Sequence, residues 1–210
     1  MSDPVAAREP DPSRRFAVLA SGSGTNLVAL ADAVADGTVD ADLACVVSDV
    51  ADAPVLERAR ERGLPARAVP FDRDDRTGWE RRLADEVAGH DVGLIVLAGF
   101  MRILSPVFLD RWPGRVVNVH PSLLPAFPGA DAVGDALAAG VTTTGVTVHL
   151  VDELVDHGPV LAQEAVPVLP DDTRTTLLAR LHPVEHRLLP QVVARLMGER
   201  DDPAHPTSPS

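Results

Sequence analysis

The stretch Asp91-Val92-Gly93-Leu94-Ile95-Val96-Leu97-Ala98-Gly99-Phe100-Met101-Arg102-Ile103-Leu104-Ser105-Pro106 decides how the chain folds. Val92–Ala98 is the most apolar segment, bounded by a charge and a glycine, which predicts a central strand buried on both faces. Upstream, strand-like and helix-like segments alternate. Phe16–Ala20 is a short apolar run that stops at Ser21-Gly22-Ser23-Gly24. Leu27, Leu30, Ala31 and Val34 then recur at helical spacing until Gly37. Leu43–Val47 reads as a second buried strand, Ala53–Arg62 as a helix closed by Gly63, and Ala66–Val69 as a third strand. Arg76–Ala88 is helical, with Trp79, Leu83 and Val87 on one face. A βαβαβ order of this kind implies a parallel sheet with right-handed crossovers, whose ligands bind beyond the C-terminal strand ends.

Downstream of residue 106 the pattern changes. Val116–Val119 is a strand that runs into His120 and a proline-rich loop, Pro121–Gly129. Asp131–Ala139 reads as a short helix. Val146, Val148 and Leu150 alternate with Thr147, His149 and Val151, which predicts a half-buried strand, and Val160–Val168 suits a neighbour for it. Thr173–Met197 is one long helical stretch, interrupted by Pro183 and Pro190. The ends, 1–14 and 199–210, are rich in Pro, Ser and Asp without apolar periodicity and are expected to be unstructured tails around one domain at 15–198.

Composition removes several function classes. The chain has 210 residues and a formal net charge of −12, which argues against a nucleic-acid-coating protein. All its basic residues are arginine, so no Schiff-base lysine and no G-x-x-x-x-G-K-[ST] loop is available. Its single cysteine, Cys45, cannot close an internal disulfide or build a Cys-rich zinc site, and suits a reducing cytosol. Met1–Arg15 is polar and acidic, unlike a signal peptide. The 10 residues between Asp91 and Arg102 fall short of the roughly 18 that suggest a membrane span.

Four motifs stand at the predicted strand ends, each with a plain alternative. Ser21-Gly22-Ser23-Gly24-Thr25-Asn26 is either an ordinary βα turn capped by Thr25 or an anion site. Its glycines would let backbone N–H groups and a helix N-terminus approach a single phosphate. Leu27 occupies the third glycine position of G-x-G-x-x-G, which disfavours a dinucleotide. In Gly99–Pro106, a strand-to-helix loop accounts for Ser105 as cap and Pro106 at the first helical position. It leaves unexplained the apolar residues that follow Gly99, which would wall a flat heterocycle. Asn118 and His120 stand two apart on a strand and share a side. They are either structural or a pair that holds an oxyanion and moves protons at one carbon. The acidic loop Asp152–Pro159 is either a solvated turn or the source of a carboxylate for His120. A fifth segment, His182-Pro183-Val184-Glu185-His186, matches the inverted zinc-protease pattern H-x-x-E-H, but a third ligand is missing and Pro183 sits in the helix turn.

Taken together, SGSGTN at 21–26, AGFMRILSP at 98–106, NVHPSLLP at 118–125 and DELVDHGP at 152–159 resemble the phosphoribosylglycinamide formyltransferase family, folate-dependent enzymes of purine synthesis. The resemblance covers about residues 16–197. NVHPSLLP is shared with other formyltransferases, whereas SGSGTN beside GFMRILSP is far more specific. The resemblance implies an α/β, Rossmann-like formyltransferase fold with a mixed, mostly parallel sheet flanked by helices. It also implies transfer of a formyl group from 10-formyltetrahydrofolate to the amine of N1-(5-phosphoribosyl)glycinamide, without a metal. Gly24, Thr25 and Asn26 would hold the phosphate, and Glu185 would help hold the ribonucleotide. Arg76, Met101, Arg102, Ile103, Leu104 and Asn118 would bind the folate, the loop backbone gripping the pterin. Asn118, His120 and Asp156 would be catalytic, with Asp156 orienting His120 and raising its pKa. The implied partners are small molecules alone, with no nucleic acid and no membrane, for a cytoplasmic monomer or homodimer.

This chain departs from the family at Asp131 and Val133, where many members carry histidine, and at Pro183 in the last helix. His182 stands where some members place a glutamine that contacts the ribonucleotide. Methionyl-tRNA formyltransferase and formyltetrahydrofolate deformylase carry additional domains for which this chain has no room. A non-catalytic nucleotide-binding module would leave Asn118, His120 and Asp156 idle, and a zinc hydrolase is the third alternative.

Overall fold

A computed structural model describes Asp11 and residues 14–198 of the chain. The expected tails lie, except for Asp11 and Arg14, outside the described residues. Strand β1 (Arg15–Leu19) sends Phe16 and Val18 to one face of a sheet and Ala17 and Leu19 to the other, all fully buried. The remaining elements come in chain order: α1 (Thr25–Ala35), β2 (Asp42–Ser48), α2 (Pro54–Glu61), β3 (Ala66–Ala68), α3 (Arg76–Ala88), β4 (Leu94–Leu97), α4 (Pro106–Leu109) and β5 (Val116–His120). Then come α5 (Ala132–Ala138), β6 (Thr143–Leu150), β7 (Val160–Pro167) and α6 (Arg174–Gly198).

The seven strands form one sheet in the order β3-β2-β1-β4-β5-β6-β7. The first five are parallel, and β6 and β7 join antiparallel. The mixed, mostly parallel α/β sheet expected from the resemblance is therefore the observed one. Because the chain moves outward through β2 and β3 and returns to β4 on the other side of β1, the loops after β1 and β4 diverge and leave a crevice between them.

Two cores hold the layers. On one face Phe16, Val18, Val96, Val117 and Val148 pack with Leu27 and Leu30 of α1 and Leu177, Leu181 and Leu189 of α6. On the other, Leu19, Val47, Ile95 and Val116 pack with Trp79 and Leu83 of α3, Phe108 of α4 and Trp112. Asn118 and His120 follow Val116 on this second face.

Two expectations change. Helix α6 runs unbroken from Arg174 to Gly198 with Pro183 and Pro190 inside it. A proline within a helix costs about 3 kcal/mol, and α6 buries Leu177, Leu181, Leu188, Leu189, Val192, Val193 and Met197, each worth roughly 1.5–3 kcal/mol. Burial wins. The half-buried pattern on β6 is also wrong, since Thr147 and His149 are as buried as Val146 and Val148. The polar side of β6 faces polar partners instead of water. Thr147 donates to the Ser122 carbonyl at 2.7 Å and accepts from the Leu124 amide at 3.1 Å.

Candidate active site

A cavity of about 530 Å³ opens at the crevice between the loops after β1 and β4, within the usual size range of small-molecule sites. Its floor is the end of β5, and its far wall is the loop after β6.

At one end the chain leaves β1 through Ser21 to Gly24. Gly24 is the N-cap of α1, at φ +78°, and no side chain caps the helix. Thr25 is thus the first helical residue and not the cap, and the free N–H groups of the first turn face the cavity with a positive helix end behind them. Only glycine fits here, because a Cβ would stand 2.6 Å from Val55 Cγ2 and 2.9 Å from Val55 Cα. Asn26 is buried and donates through Nδ2 to Glu185 Oε2 at 3.0 Å, while its Oδ1 is buried with no partner. Gly24, Thr25, Asn26 and Glu185 all line the cavity, and so does His182.

The middle of the cavity is the loop after β4. Its residues Met101 and Ile103 are 62% and 56% exposed, and Leu154 and Val155 of the loop after β6 also expose large apolar surface. All four line the cavity, so an apolar slot lies between two loops. Buried acids pin the β4 loop at both ends. Asp49, at the end of β2, accepts from Arg102 Nε at 2.6 Å and from Ser21 Oγ at 2.5 Å, and Ser21 Oγ in turn accepts from the Met101 amide at 2.8 Å. Glu80, inside α3, accepts from the Ser105 amide and from Ser105 Oγ. Ser105 does cap α4, accepting from the Val107 amide at 3.3 Å, with Pro106 at the first helical position.

These contacts hold two of the arginines expected to bind folate. The Arg102 guanidinium lies on Asp49 and 4.1 Å over the Phe71 ring. The Arg76 Nη2 donates to the Ile103 carbonyl at 2.7 Å, and Arg76 lies outside the cavity wall. Both guanidinium groups brace the loop, and Met101, Arg102, Ile103 and Leu104 line the cavity.

At the floor, β5 pairs with β6 so that Asn118 lies opposite His149 and His120 opposite Thr147. Asp156 reaches the same place from the loop after β6, at φ +51°, a conformation that aspartate tolerates better than most residues. Its Oδ2 accepts from the Gly129 amide at 2.7 Å and stands 3.4 Å from His120 Nδ1. Its Oδ1 accepts from Asn118 Nδ2 at 3.4 Å and stands 3.6 Å from His149 Nε2. Burial alone raises the Asp156 pKa. The His149 and Gly129 hydrogen bonds and the charges on the two histidines outweigh it, so the carboxyl lies below its ordinary range and is ionised at neutral pH.

The backbone assigns the tautomers. His120 Nε2 lies 2.8 Å from the Phe127 carbonyl, which accepts only, so Nε2 carries the hydrogen and Nδ1 is the nitrogen that gains or gives a proton beside Asp156. His149 Nδ1 likewise donates to the Leu150 carbonyl at 2.8 Å. Its Nε2 stands 3.2 Å from Asn118 Nδ2, accepting from it when the ring is neutral. When the ring is charged, Nε2 donates toward Asp156 Oδ1, the state in which it lowers the Asp156 pKa. The Asp156 carboxylate, which only accepts, fixes the Asn118 amide with its nitrogen toward it. An amide donor, an imidazole Nδ1 and a carboxylate thus converge at one point of the cavity.

Sequence reasoning brought Asn118, His120 and Asp156 to one site, and the structure places them there. It missed His149, the Phe127 carbonyl and the braces Asp49 and Glu80. His149 was visible as a polar residue alternating on β6, but its partner depends on the strand register. The H-x-x-E-H segment separates into different roles. Glu185 faces Asn26, His182 and His186 stack at 6.0 Å, and no group of three His, Cys, Asp or Glu able to hold a metal occurs among the described residues. Nor is any helix of the described residues long and apolar enough to cross a membrane.

The formyl transferase family model matches residues 14–193. The chain is similar to phosphoribosylglycinamide formyltransferase of Bacillus subtilis, 41% identical over 186 residues, which covers 88% of this chain and 95% of that protein. It is 46% identical over 197 residues to the Mycobacterium tuberculosis phosphoribosylglycinamide formyltransferase, covering 93% and 90% of the two chains. Among solved structures, glycinamide ribonucleotide transformylase 1 from Symbiobacterium toebii superposes with a TM-score of 0.85 at 43% identity, covering 89% of this chain and 88% of that one.

Proposed function

The chain belongs to the formyl transferase family, and from that premise we propose which of its residues carry the reaction and which donor it uses. Its activity is that of a phosphoribosylglycinamide formyltransferase, placing a formyl group on the glycinamide amine in purine biosynthesis. The observation that carries the proposal is the convergence of Asn118 Nδ2, His120 Nδ1 and the Asp156 carboxylate at the cavity floor.

The donor is 10-formyltetrahydrofolate, which supplies the formyl carbon. The apolar slot between Met101 and Ile103 on one side and Leu154 and Val155 on the other suits its flat ring, and the braced backbone of residues 101–104 offers main-chain hydrogen bonds to the ring edge. Gly24, Thr25 and Asn26 hold the ribonucleotide phosphate at the α1 N-terminus, and Glu185 accepts from ribose hydroxyls. The amine of the acceptor then meets the formyl carbon over the floor of the cavity.

As the C–N bond forms, charge develops on the formyl oxygen. Asn118 Nδ2–H, turned from its long 3.4 Å contact with Asp156, and the protonated His120 Nδ1–H donate to it. Ionised Asp156 holds the imidazolium, while the Phe127 carbonyl keeps Nε2 protonated and aims Nδ1 inward. The amine loses one proton and the departing folate nitrogen gains one as its bond to the formyl carbon breaks, with His120, Asp156 and solvent passing that proton. No step needs a metal. A free buried thiol and small-molecule substrates support a cytoplasmic setting, as monomer or homodimer.

An assay of formyl transfer from 10-formyltetrahydrofolate to glycinamide ribonucleotide tests the reading. Stoichiometric formylglycinamide ribonucleotide is the expected product. Release of formate with or without the acceptor would identify a deformylase instead.

A further inference from the structure

We propose that Gln163, on the outer strand β7, is a positioning residue for His120, acting with Thr147 through the proline-rich loop that follows β5. This rests on the reading that His120 carries the reaction.

Strand register builds the arrangement. Thr147 of β6 pairs with His120 of β5 on one side and with Gln163 of β7 on the other. Residues directly opposite on antiparallel neighbours present their side chains to one face. His120, Thr147 and Gln163 therefore form a row that runs from the cavity floor to the sheet edge. The loop at 121–129 folds back over this row, and its Leu123 packs so closely on Gly145 of β6 that any Cβ there would collide with it. Two side chains then fasten the loop by hydrogen bonds. Thr147 Oγ1 donates to the Ser122 carbonyl and accepts from the Leu124 amide. Gln163 Nε2 donates to the Leu124 carbonyl at 3.0 Å and to Thr147 Oγ1 at 2.7 Å. The threonine hydroxyl thus uses its hydrogen and both lone pairs, and Leu124 is gripped at its N–H and at its carbonyl.

The fixed start of the loop sets its far end. Ser122 Oγ donates to the Ala126 carbonyl at 2.5 Å and the Ala126 amide to the Leu123 carbonyl at 3.0 Å, so the grip on residues 122–124 is passed on to Phe127. There the loop delivers two contacts to the reacting groups: the Phe127 carbonyl at His120 Nε2 and the Gly129 amide at Asp156. Phe127 stands at φ +53°, an unfavourable conformation for a bulky residue that persists only where the surroundings impose it. Neither Thr147 nor Gln163 lines the cavity, so their influence on the reaction passes through this loop. Without the Gln163 amide, the Leu124 carbonyl is released and Thr147 loses one of its partners. The Phe127 carbonyl then no longer holds the hydrogen of His120 on Nε2.

The test compares wild type with Gln163→Leu and Gln163→Glu. Gln163 is exposed at the sheet edge, so neither change opens a hole in the core. The glutamate keeps the length of the side chain, but its carboxylate only accepts and replaces neither bond. Both variants should lower kcat by about ten- to a hundredfold, the effect of misplacing a reacting group by about an ångström. The KM of each substrate should change by less than about twofold, the pattern of an interaction expressed in the transition state. With the ring neutral, ¹⁵N NMR should show the His120 hydrogen on Nε2 in wild type and a mixture of tautomers in both variants. Thr147→Ser, which keeps the hydroxyl, should retain the wild-type kcat and tautomer, and Thr147→Val should reproduce Gln163→Leu. His120 ring signals in Gln163→Leu identical to those of wild type would overturn the proposal, and so would a raised KM at constant kcat. If the tautomer shifts while kcat stays at the wild-type value, Gln163 does position His120 and it is the catalytic reading of His120 that fails.

Discussion

Replacing Asp156 with asparagine removes one charge and almost no volume, so its consequences can be worked out group by group. The backbone at φ +51° is one that asparagine adopts readily, so the loop keeps its path. The amide can still present an oxygen to the Gly129 amide, but its nitrogen then meets the Asn118 Nδ2 donor; turned over, the nitrogen meets the Gly129 N–H. Either orientation loses one hydrogen bond and converts another from charged to neutral, so a loss of about 1 kcal/mol of stability is expected. The chemical cost is larger. A neutral amide beside Nδ1 no longer favours the imidazolium, and the lost acid–base assistance should lower kcat by about 10²- to 10⁴-fold. Ribonucleotide affinity should be nearly unchanged, because the phosphate end holds none of these groups. The stability difference also has a pH signature. The wild-type carboxyl lies below its ordinary pKa of 3.8, so its contribution is fully present above that value and disappears as pH falls through the folded value. The gap in Tm between wild type and Asp156→Asn should be constant above pH 5 and close toward pH 3. Steady-state kinetics with both substrates and melting curves at three pH values check this. Near-wild-type kcat, or a Tm gap that widens on acidification, would refute the reasoning.

Other perturbations probe other parts of the site. Gly24→Val places a branched Cβ at φ +78° against Val55 and should raise the ribonucleotide KM at least tenfold more than the folate KM; equal effects would contradict the division of the cavity. Asp49→Ala strips Arg102 and Ser21 of their shared acceptor and should raise the folate KM by roughly tenfold or more with a smaller change in kcat, since one charge-assisted bond is worth about 1.5–3 kcal/mol. Asn118→Ala should lower kcat by about 10²- to 10³-fold, and combined with Asp156→Asn should cost less than the product of the two, because both serve one transition state. Cys45, fully buried on β2, has its thiol pushed up to about 12 by burial and by the charge of Glu86, so a thiol reagent should label one group per chain in denaturant and none in the native protein.

Much of this protein was legible in the sequence because its signals are local. The apolar run 92–98, the glycines at 22 and 24 and the helical spacing of Trp79, Leu83 and Val87 are each read within a few residues, and together they place a parallel sheet and its loops. Asn118 and His120 share a strand, so their common side follows from the two-residue period of a strand. Other features depend on contacts between distant segments. The register that sets His149 opposite Asn118 is a choice among many for an antiparallel pair, settled by which valines of β5 and β6 enter the core. That Arg102 lies on Asp49, which follows another strand, is likewise a contact the local sequence does not show. Local propensity also breaks α6 at Pro183 and Pro190, whereas the leucines packed against the sheet hold it straight through. Periodicity and backbone chemistry thus determined the elements and their order. Burial, which sums contributions from the whole chain, decided the pairing, the tautomers and which charges remain free to meet a substrate.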